Sequence, residues 1–455
     1  MGKKFMYILI LYIFLHAFPL KASGDDHHQS QWQEGSIYFI MIDRFNNGDF
    51  TNDEKVRMND PLAYHGGDFE GIIKQLDYLK KMGFTMIWLS PIFAYTEEYH
   101  GYSSTDPFEI NQHFGSLDTF KALVKEAHQR DLKVIVDLST NMLEENGVSE
   151  NQFTKAAQWW IKETDIDGYG IPNIKIASTK FWNTLSSNVK KQKENFILFG
   201  DDPNSDDHKN TGIDLFLNNH DYKEVRKAFS KPDQSISIYD QPFHQWSIQF
   251  LDNRKTNRFT MDAVMHNQNP GTRWKIALTY LYTIPGVPLV YYGSEIALNG
   301  GEPPDNDQQM DFRTDNNIIE FLTKLGIIRN QHPSLRRGSI EIIAEKNGFA
   351  VYKRTYGKET TVIAINNTSK TKSVAISSDV LYQNKELRGL LGGDLVREKN
   401  NQFKIVIDRE ETEIYLLANK TGLNMAYLSV MGIVYGVFLL FIIILWKRSR
   451  KKRMA

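Results

Sequence analysis

Between residues 31 and 331 the chain alternates short runs of β-branched and aromatic residues with longer stretches in which apolar residues recur every three or four positions. The runs fall at 37–45, 85–90, 133–138, 168–174, 196–200, 213–217, 247–252 and 288–292, and each predicts a strand. Between them, helical spacing is clear at 69–81 (FEGIIKQLDYLKK), 116–129, 153–162 and 274–283. Eight strand–helix repeats in this length predict an α/β protein built on a (β/α)8 TIM barrel, with an open doubly wound sheet as the alternative that pattern alone leaves. After a predicted helix at 316–330 the character changes. Runs at 339–344, 348–354, 359–365, 372–376 and 411–417 are separated by turn residues, which predicts a C-terminal antiparallel β-sandwich domain over 335–419.

Both ends of the chain are apolar. Lys3 and Lys4 precede an apolar core to about Leu20 and then Ala22-Ser23-Gly24, so residues 1–24 predict a signal peptide. Residues 426–446 form a second apolar stretch, long enough to cross a bilayer as one transmembrane helix. The basic tail 447–455 begins at once with Lys447, Arg448, Arg450, Lys451, Lys452 and Arg453, a cluster that stays cytoplasmic. A buried core helix is the other reading of this segment, but no polar face interrupts it. The expectation is a single-pass cell-membrane protein with its body outside and its C-terminus in the cytoplasm. The chain has no cysteine although disulfides would be permitted there, which fits a bacterial envelope.

The 455 residues are 41% hydrophobic and 12% aromatic, ample for one large and one small core, and this excludes a disordered chain. A formal net charge of -1 argues against a nucleic-acid binder. A neutral polymer or small ligand is the better expectation.

Several stretches carry a family likeness: IYFIMIDRFNNGD at 37–49, the stretch 64–93 ending WLSPIF, YHGYSSTDPFEINQHFGSLDTFKALV at 99–124, VIVDLSTN at 134–141, FLDNRKTNRF at 250–259 and PGVPLVYYGSEIALNGGEPPDN at 285–306. Together and in this order they resemble the alpha-amylase family of glycoside hydrolases, in its cyclodextrin- and neopullulanase-like branch. The resemblance implies a retaining mechanism with three carboxylates at strand ends: a nucleophile, a proton donor and a stabiliser of the distorted sugar.

Here the resemblance also implies losses. In Asp167-Gly168-Tyr169-Gly170-Ile171-Pro172 the motif's arginine position is Gly170 and its nucleophile position is Pro172. Asp201 stands at the acid position, one methylene shorter than the family's Glu. Arg254 and Lys255 replace a His-Asp pair, so the stabiliser position holds a cation, and Met142 replaces a His. Asp165 and Asp167 are the nearby carboxylates. Moving either into the catalytic place would shift the strand register and turn its apolar face outward.

What the family uses to hold sugar is better kept. His100 and Tyr102 match its stacking segment, although a packed rim aromatic is an equal reading of Tyr102, and Asn141 matches a family position; Arg254 and Lys255, which depart from the family, join the expected substrate-binding set as cations at the barrel mouth that suit an anionic ligand. Arg258 matches a family arginine that is more often structural. Asn47, Asp49, Asn52, Asp53, Asp68 and the Gly66 carbonyl resemble a structural Ca2+ loop, with a polar turn as the plainer reading. Two functions follow. The preferred one is a membrane-anchored pseudoenzyme that binds an alpha-glucan or other envelope carbohydrate, or supports a membrane-protein partner. The other is an active alpha-glucan hydrolase or transglycosylase with an unorthodox site.

Overall fold

The structure, a computed structural model, describes residues 34–95, 104, 106–144, 147–201, 211–236, 247–421 and 425–453. The predicted signal peptide lies outside the described residues, as do His100 and Tyr102.

Eight parallel strands close into a barrel in chain order: β1 (Ile37–Ile40), β2 (Met86–Leu89), β3 (Lys133–Asp137), β4 (Gly168–Ile171), β5 (Ile197–Gly200), β6 (Leu215–Leu217), β7 (Ser247–Gln249) and β8 (Val287–Tyr291). Nearly every residue in them is buried, because a parallel barrel is covered by its own side chains inside and by helices outside. Those helices include α1 (Phe69–Lys81), α2 (Leu117–Gln129), α3 (Glu150–Thr164), α4 (Thr179–Gln192), α5 (Tyr222–Phe229), α6 (Phe259–Met265), α7 (Pro270–Thr283) and α8 (Asn317–Gln331).

Helix starts follow local chemistry. Asp68, Ser116, Ser149, Ser178 and Asn269 each accept a backbone N–H three residues on, and each such cap contributes about 1 kcal/mol. The first strand is shorter than the apolar run at 37–45 suggests. It stops at Ile40, and Ile42–Phe45 turns into one helical turn whose Asp43 accepts the N–H groups of His65 (2.8 Å) and Gly66 (3.1 Å).

The C-terminal domain is a six-stranded antiparallel sheet facing a two-stranded one. In the larger sheet Ala350, Tyr352, Ile363 and Ile365 pack toward the barrel, whereas Phe349, Val351, Val362 and Ala364 pack with Phe403, Ile405 and Ile407 of the smaller sheet. That alternation is the two-residue period of a strand buried on both faces. The sequence reading passes over three strands here, Lys385–Gly389, Leu395–Arg397 and Gln402–Ile407.

Both hydrophobic cores are built from residues within 37–415, so residues 34–421 carry their own core. The terminal helix Met425–Arg453 adds nothing to either. Its segment Leu428–Arg448, 21 residues and wholly unburied, is long and apolar enough to cross a membrane at about 1.5 Å per residue.

Candidate active site

The C-terminal ends of the barrel strands converge on a cavity lined by Trp88, Asp137, Pro172, Asp201, Arg254 and Lys255, among others. Register fixes its centre. Gly170 pairs with Phe199 and Ile171 with Gly200, and the Asp201 N–H donates to the Ile171 carbonyl at 3.0 Å. Pro172 and Asp201 therefore leave neighbouring strand ends side by side.

Asp137 lines the cavity but is bonded to Trp88, and neither carboxylate ahead of β4, Asp165 or Asp167, reaches this place. Asp167 precedes β4 at the opposite end of the barrel, where it accepts from His128 Nε2 (2.7 Å), Val134 N (2.9 Å) and Lys193 Nζ (3.1 Å). Asp165 sits beyond the end of α3 with φ of 57° and pairs with Lys193 at 2.7 Å.

Asp201 is held on both sides. Its Oδ2 accepts from Lys255 Nζ at 2.6 Å and its Oδ1 from Asn219 Nδ2 at 2.8 Å. The same ammonium donates to the Pro172 carbonyl at 3.3 Å, so Lys255 ties the ends of β4 and β5 together. The Asp201 side chain is 10% exposed and that of Lys255 is 49% exposed. The cation thus reaches in from solvent to a largely buried acid.

The floor is filled by aromatic rings. Trp88 donates its indole N–H to Asp137 Oδ1 at 2.7 Å and packs on Phe39 (5.4 Å between centroids) and Phe199 (5.1 Å), while Phe39 meets Tyr291 at 5.4 Å. Gly170 allows this. A Cβ there would stand 2.1 Å from Asp137 Oδ1 and 2.4 Å from Trp88 Cζ2. The cavity that remains measures about 30 Å³, room for one or two waters, where ligand sites run to about 300–1,000 Å³.

The loop bearing Arg254 and Lys255 is rigidly held. Asn306 Nδ2 donates to the carbonyls of Arg254 and Thr256, both at 3.1 Å. Arg258 is fully buried, donates to the Asn306 carbonyl (2.6 Å) and the Tyr292 carbonyl (2.7 Å), and lies over the rings of Tyr291 and Tyr292. Its role is structural, as the sequence suggests.

Comparison with known proteins now bears on this geometry. An alpha amylase catalytic-domain model matches residues 39–146, and an alpha-amylase C-terminal-domain model matches 338–415. The crystal structure of an Anoxybacillus alpha-amylase superposes with a TM-score of 0.82 at 45% identity, covering 86% of this chain and 99% of that one. The chain belongs to the alpha-amylase family of glycoside hydrolases. An alpha-amylase from Geobacillus thermoleovorans is similar at 42% identity and a TM-score of 0.80, again over 86% and 99% of the two chains. Among curated relatives, the cyclomaltodextrinase of Thermoanaerobacter pseudethanolicus is 25% identical over 80% of this chain and 75% of its own, which places the chain in the cyclodextrinase branch. The beta/alpha-amylase of Paenibacillus polymyxa is 27% identical over 85% of this chain, which spans 38% of that longer protein.

Against the alpha-amylase pattern, the structure brings Asp201, Arg254 and Lys255 to one cavity. Asn141 stands half-buried on a 310 turn, Thr140–Leu143, and does not line it. Met142, one residue on, packs into the apolar space beneath α3 with Phe153 and Trp160. Sequence reasoning overlooks two contributors. Trp88 is signalled only indirectly, by the glycine at 170 that makes room for it. Asn219 carries no signal, since its contact with Asp201 depends on how two loops meet.

At the expected cation loop, Asn47 Nδ2 donates to both Asp53 oxygens at 2.9 Å, and Gly66, with φ of 90°, closes over them. A Cβ on Gly66 would stand 2.6 Å from Asn47 Nδ2 and 2.8 Å from Asp53 Oδ1. Asn47 Oδ1 and both amide atoms of Asn52 are buried with no hydrogen-bond partner. Orphaned amide oxygens beside a carboxylate and a glycine turn are the oxygen-rich set that a hard cation takes. The residues therefore fit a cation at Asn47, Asn52, Asp53 and the Gly66 carbonyl. Two of the expected ligands face other tasks. Asp49 is half-buried and accepts from Thr51, and Asp68 accepts the N–H groups of Gly48, Asp49 and Gly71. Among the described residues no three His, Cys, Asp or Glu side chains group as a metal site, so such a loop would rely on amide and backbone oxygens.

Proposed function

We propose that this chain is a membrane-anchored, extracytoplasmic member of the alpha-amylase family that binds carbohydrate and does not cleave it at the barrel centre. The observation that carries the proposal is the 2.6 Å ion pair between Lys255 and Asp201. Retaining hydrolysis needs a nucleophile, a proton donor and negative charge beside an oxocarbenium-like transition state. Pro172 has no group that could form a glycosyl ester. Both oxygens of Asp201 accept hydrogen bonds, one from a cation. An unpaired cation about 5 Å from the developing positive charge would raise the barrier by about 3 kcal/mol at an effective dielectric near 20; paired with Asp201 it raises it by less, but it leaves the centre without the net negative charge the transition state needs.

Carbohydrate binding is supported by the relatives. The Geobacillus thermoleovorans alpha-amylase has been solved with acarbose, and AmyP, which shares the fold, with maltose and with maltotriose. Because the centre here has room for no more than one or two waters, the glucan lies across the mouth, over Arg254, Lys255 and the rim. A structural Ca2+ at Asn47, Asn52 and Asp53 steadies that rim. The apolar helix Leu428–Arg448 with the cations after it supports a single membrane span with the body outside and the tail in the cytoplasm. Such an anchor also suits a membrane-protein partner.

The competing reading, an active alpha-glucan hydrolase, is favoured by the 45% identity to an alpha-amylase. Incubating the full chain with maltoheptaose, beside an Asp201→Asn/Lys255→Ala variant, decides between them. Equal and negligible release of reducing ends is the expected result, together with retardation of the protein in starch-containing gels. Turnover by the wild type well above the variant overturns the proposal.

A further inference from the structure

A second and larger cavity opens beside the filled centre. It measures about 570 Å³, within the range of ligand sites, and lies where the loops after β6 and β7 lead into α5 and α6. Lys255 lines both cavities, so the groove is continuous with the barrel mouth. Its wall on α5 presents Tyr222, Lys223 and Lys227. The two lysines are exposed and four residues apart, which stacks them on one helix face about 6 Å apart along the axis.

The charges of the groove do not cancel. Arg226 is engaged by Asp262, its Nε and Nη2 both 2.7 Å from the Asp262 carboxylate, and the second oxygen of that carboxylate accepts from Asn257 at 2.8 Å. That pair is internally neutral. Lys223 and Lys227 face the opening, Lys255 keeps half its side chain in solvent although paired with Asp201, and His266 lies at the edge. Among the described residues Glu302 is the one other acid on the lining. A groove with cations along one wall and an aromatic ring beside them matches a ligand that is both sugar-like and negatively charged.

We infer that this groove binds an anionic glycan, a sugar polymer bearing carboxylate or phosphodiester groups, laid from Lys255 at the barrel mouth outward past Tyr222 to Lys223 and Lys227. The glycan is favoured over an acidic peptide because the groove runs into the mouth of a sugar-handling barrel. The assignment goes beyond the reading of the centre and holds whether or not the centre turns over, which the maltoheptaose assay reports separately.

The test is binding by the full chain in detergent micelles, measured calorimetrically at low salt with hexameric oligoglucuronate, hexameric glycerol phosphate, poly-glutamate and neutral maltohexaose. At least one anionic sugar or sugar-alcohol polymer is expected to bind tenfold or more tightly than maltohexaose, and whichever does so names the anionic group. Lys223→Gln/Lys227→Gln, at two exposed positions, is expected to weaken that binding about tenfold, and 0.5 M NaCl to weaken it further. Maltohexaose binding should be unmoved by the double variant. The inference is overturned if neither polymer outbinds maltohexaose, if the double variant binds as the wild type does, or if poly-glutamate binds equally well.

Discussion

Replacing Lys255 with Met and Asp201 with Asn, singly and together, measures whether the ion pair that closes the barrel centre is energetically real. Opposite charges about 4 Å apart at an effective dielectric near 20 attract by about 4 kcal/mol in gross terms. Desolvation of Asp201, 10% exposed, and solvent screening of Lys255, 49% exposed, reduce this. Exposed pairs typically measure about 0.2–1 kcal/mol, and stripping one partner from a buried pair costs about 3–5 kcal/mol. The Lys255–Asp201 pair lies between, at a coupling of about 1.5 kcal/mol. Lys255→Met leaves the Asn219 bond to Asp201 in place and should cost about 2 kcal/mol; Asp201→Asn, which keeps an acceptor, should cost about 1 kcal/mol and the double variant about 1.5 kcal/mol. The assay is urea unfolding of residues 34–421, followed by tryptophan fluorescence. A coupling below about 0.3 kcal/mol, the scatter of additive sites, would mean that the two side chains do not pair, and the argument for a blocked acid would go with it.

Three further outcomes follow from the structure. Gly170→Ala should lower stability by about 1–3 kcal/mol in the same assay, because its Cβ falls against Asp137 and the Trp88 ring; a neutral effect would show that the floor is not filled as described. Burial pushes the Asp43 carboxyl up from 3.8 to about 6, against the pull of Arg44 and two backbone N–H groups. A raised carboxyl contributes stability below pH 4 and loses it as pH rises through 6, so wild-type stability relative to Asp43→Asn should fall by about 2.4 kcal/mol between pH 4 and 7 and stay level above; a level difference throughout refutes this. Calcium at about 100 times its dissociation constant should stabilise the full chain by about 2.7 kcal/mol, EDTA should reverse the gain, and Asn47→Ala/Asp53→Ala should abolish it; calorimetric Tm values unmoved by calcium would count against the site.

What could be read from the sequence divides along the range of the interactions. Helix α1 is legible to the residue because its apolar face at Phe69, Ile72, Leu76 and Leu79 and its Asp68 cap are all local. The strand Gln402–Ile407 alternates buried and exposed positions as cleanly, yet it pairs with Lys372–Ser377, some thirty residues earlier, and only that pairing makes it a strand. At the centre, Pro172, Gly170 and Lys255 stand out as single residues against a family pattern. That Lys255 bonds to Asp201, 54 positions away, and that Trp88 fills the space above Gly170 depend on barrel closure and strand register. Composition and periodicity do not encode either.

The same coupling bears on whether the centre can be restored. Pro172→Asp with Lys255→Asp would return two carboxylates to strand ends beside Asp201. It would also remove the Lys255 cation bonded to Asp201, and three carboxyl groups at close quarters cannot all ionise, so at least one pKa would rise steeply. In the family pattern an arginine at the position of Gly170 shares this charge, but here Trp88 and Asp137 lie within 2.5 Å of any Cβ at 170. The double variant should therefore be less stable than the wild type and inert toward maltoheptaose, and adding Gly170→Arg should not fold unless Trp88 is also reduced. Measurable turnover by Pro172→Asp/Lys255→Asp alone would show that the filled floor is no obstacle. The losses would then be separate substitutions in an open site, whereas the structure argues for a linked set in which each change makes room for, or neutralises, the next.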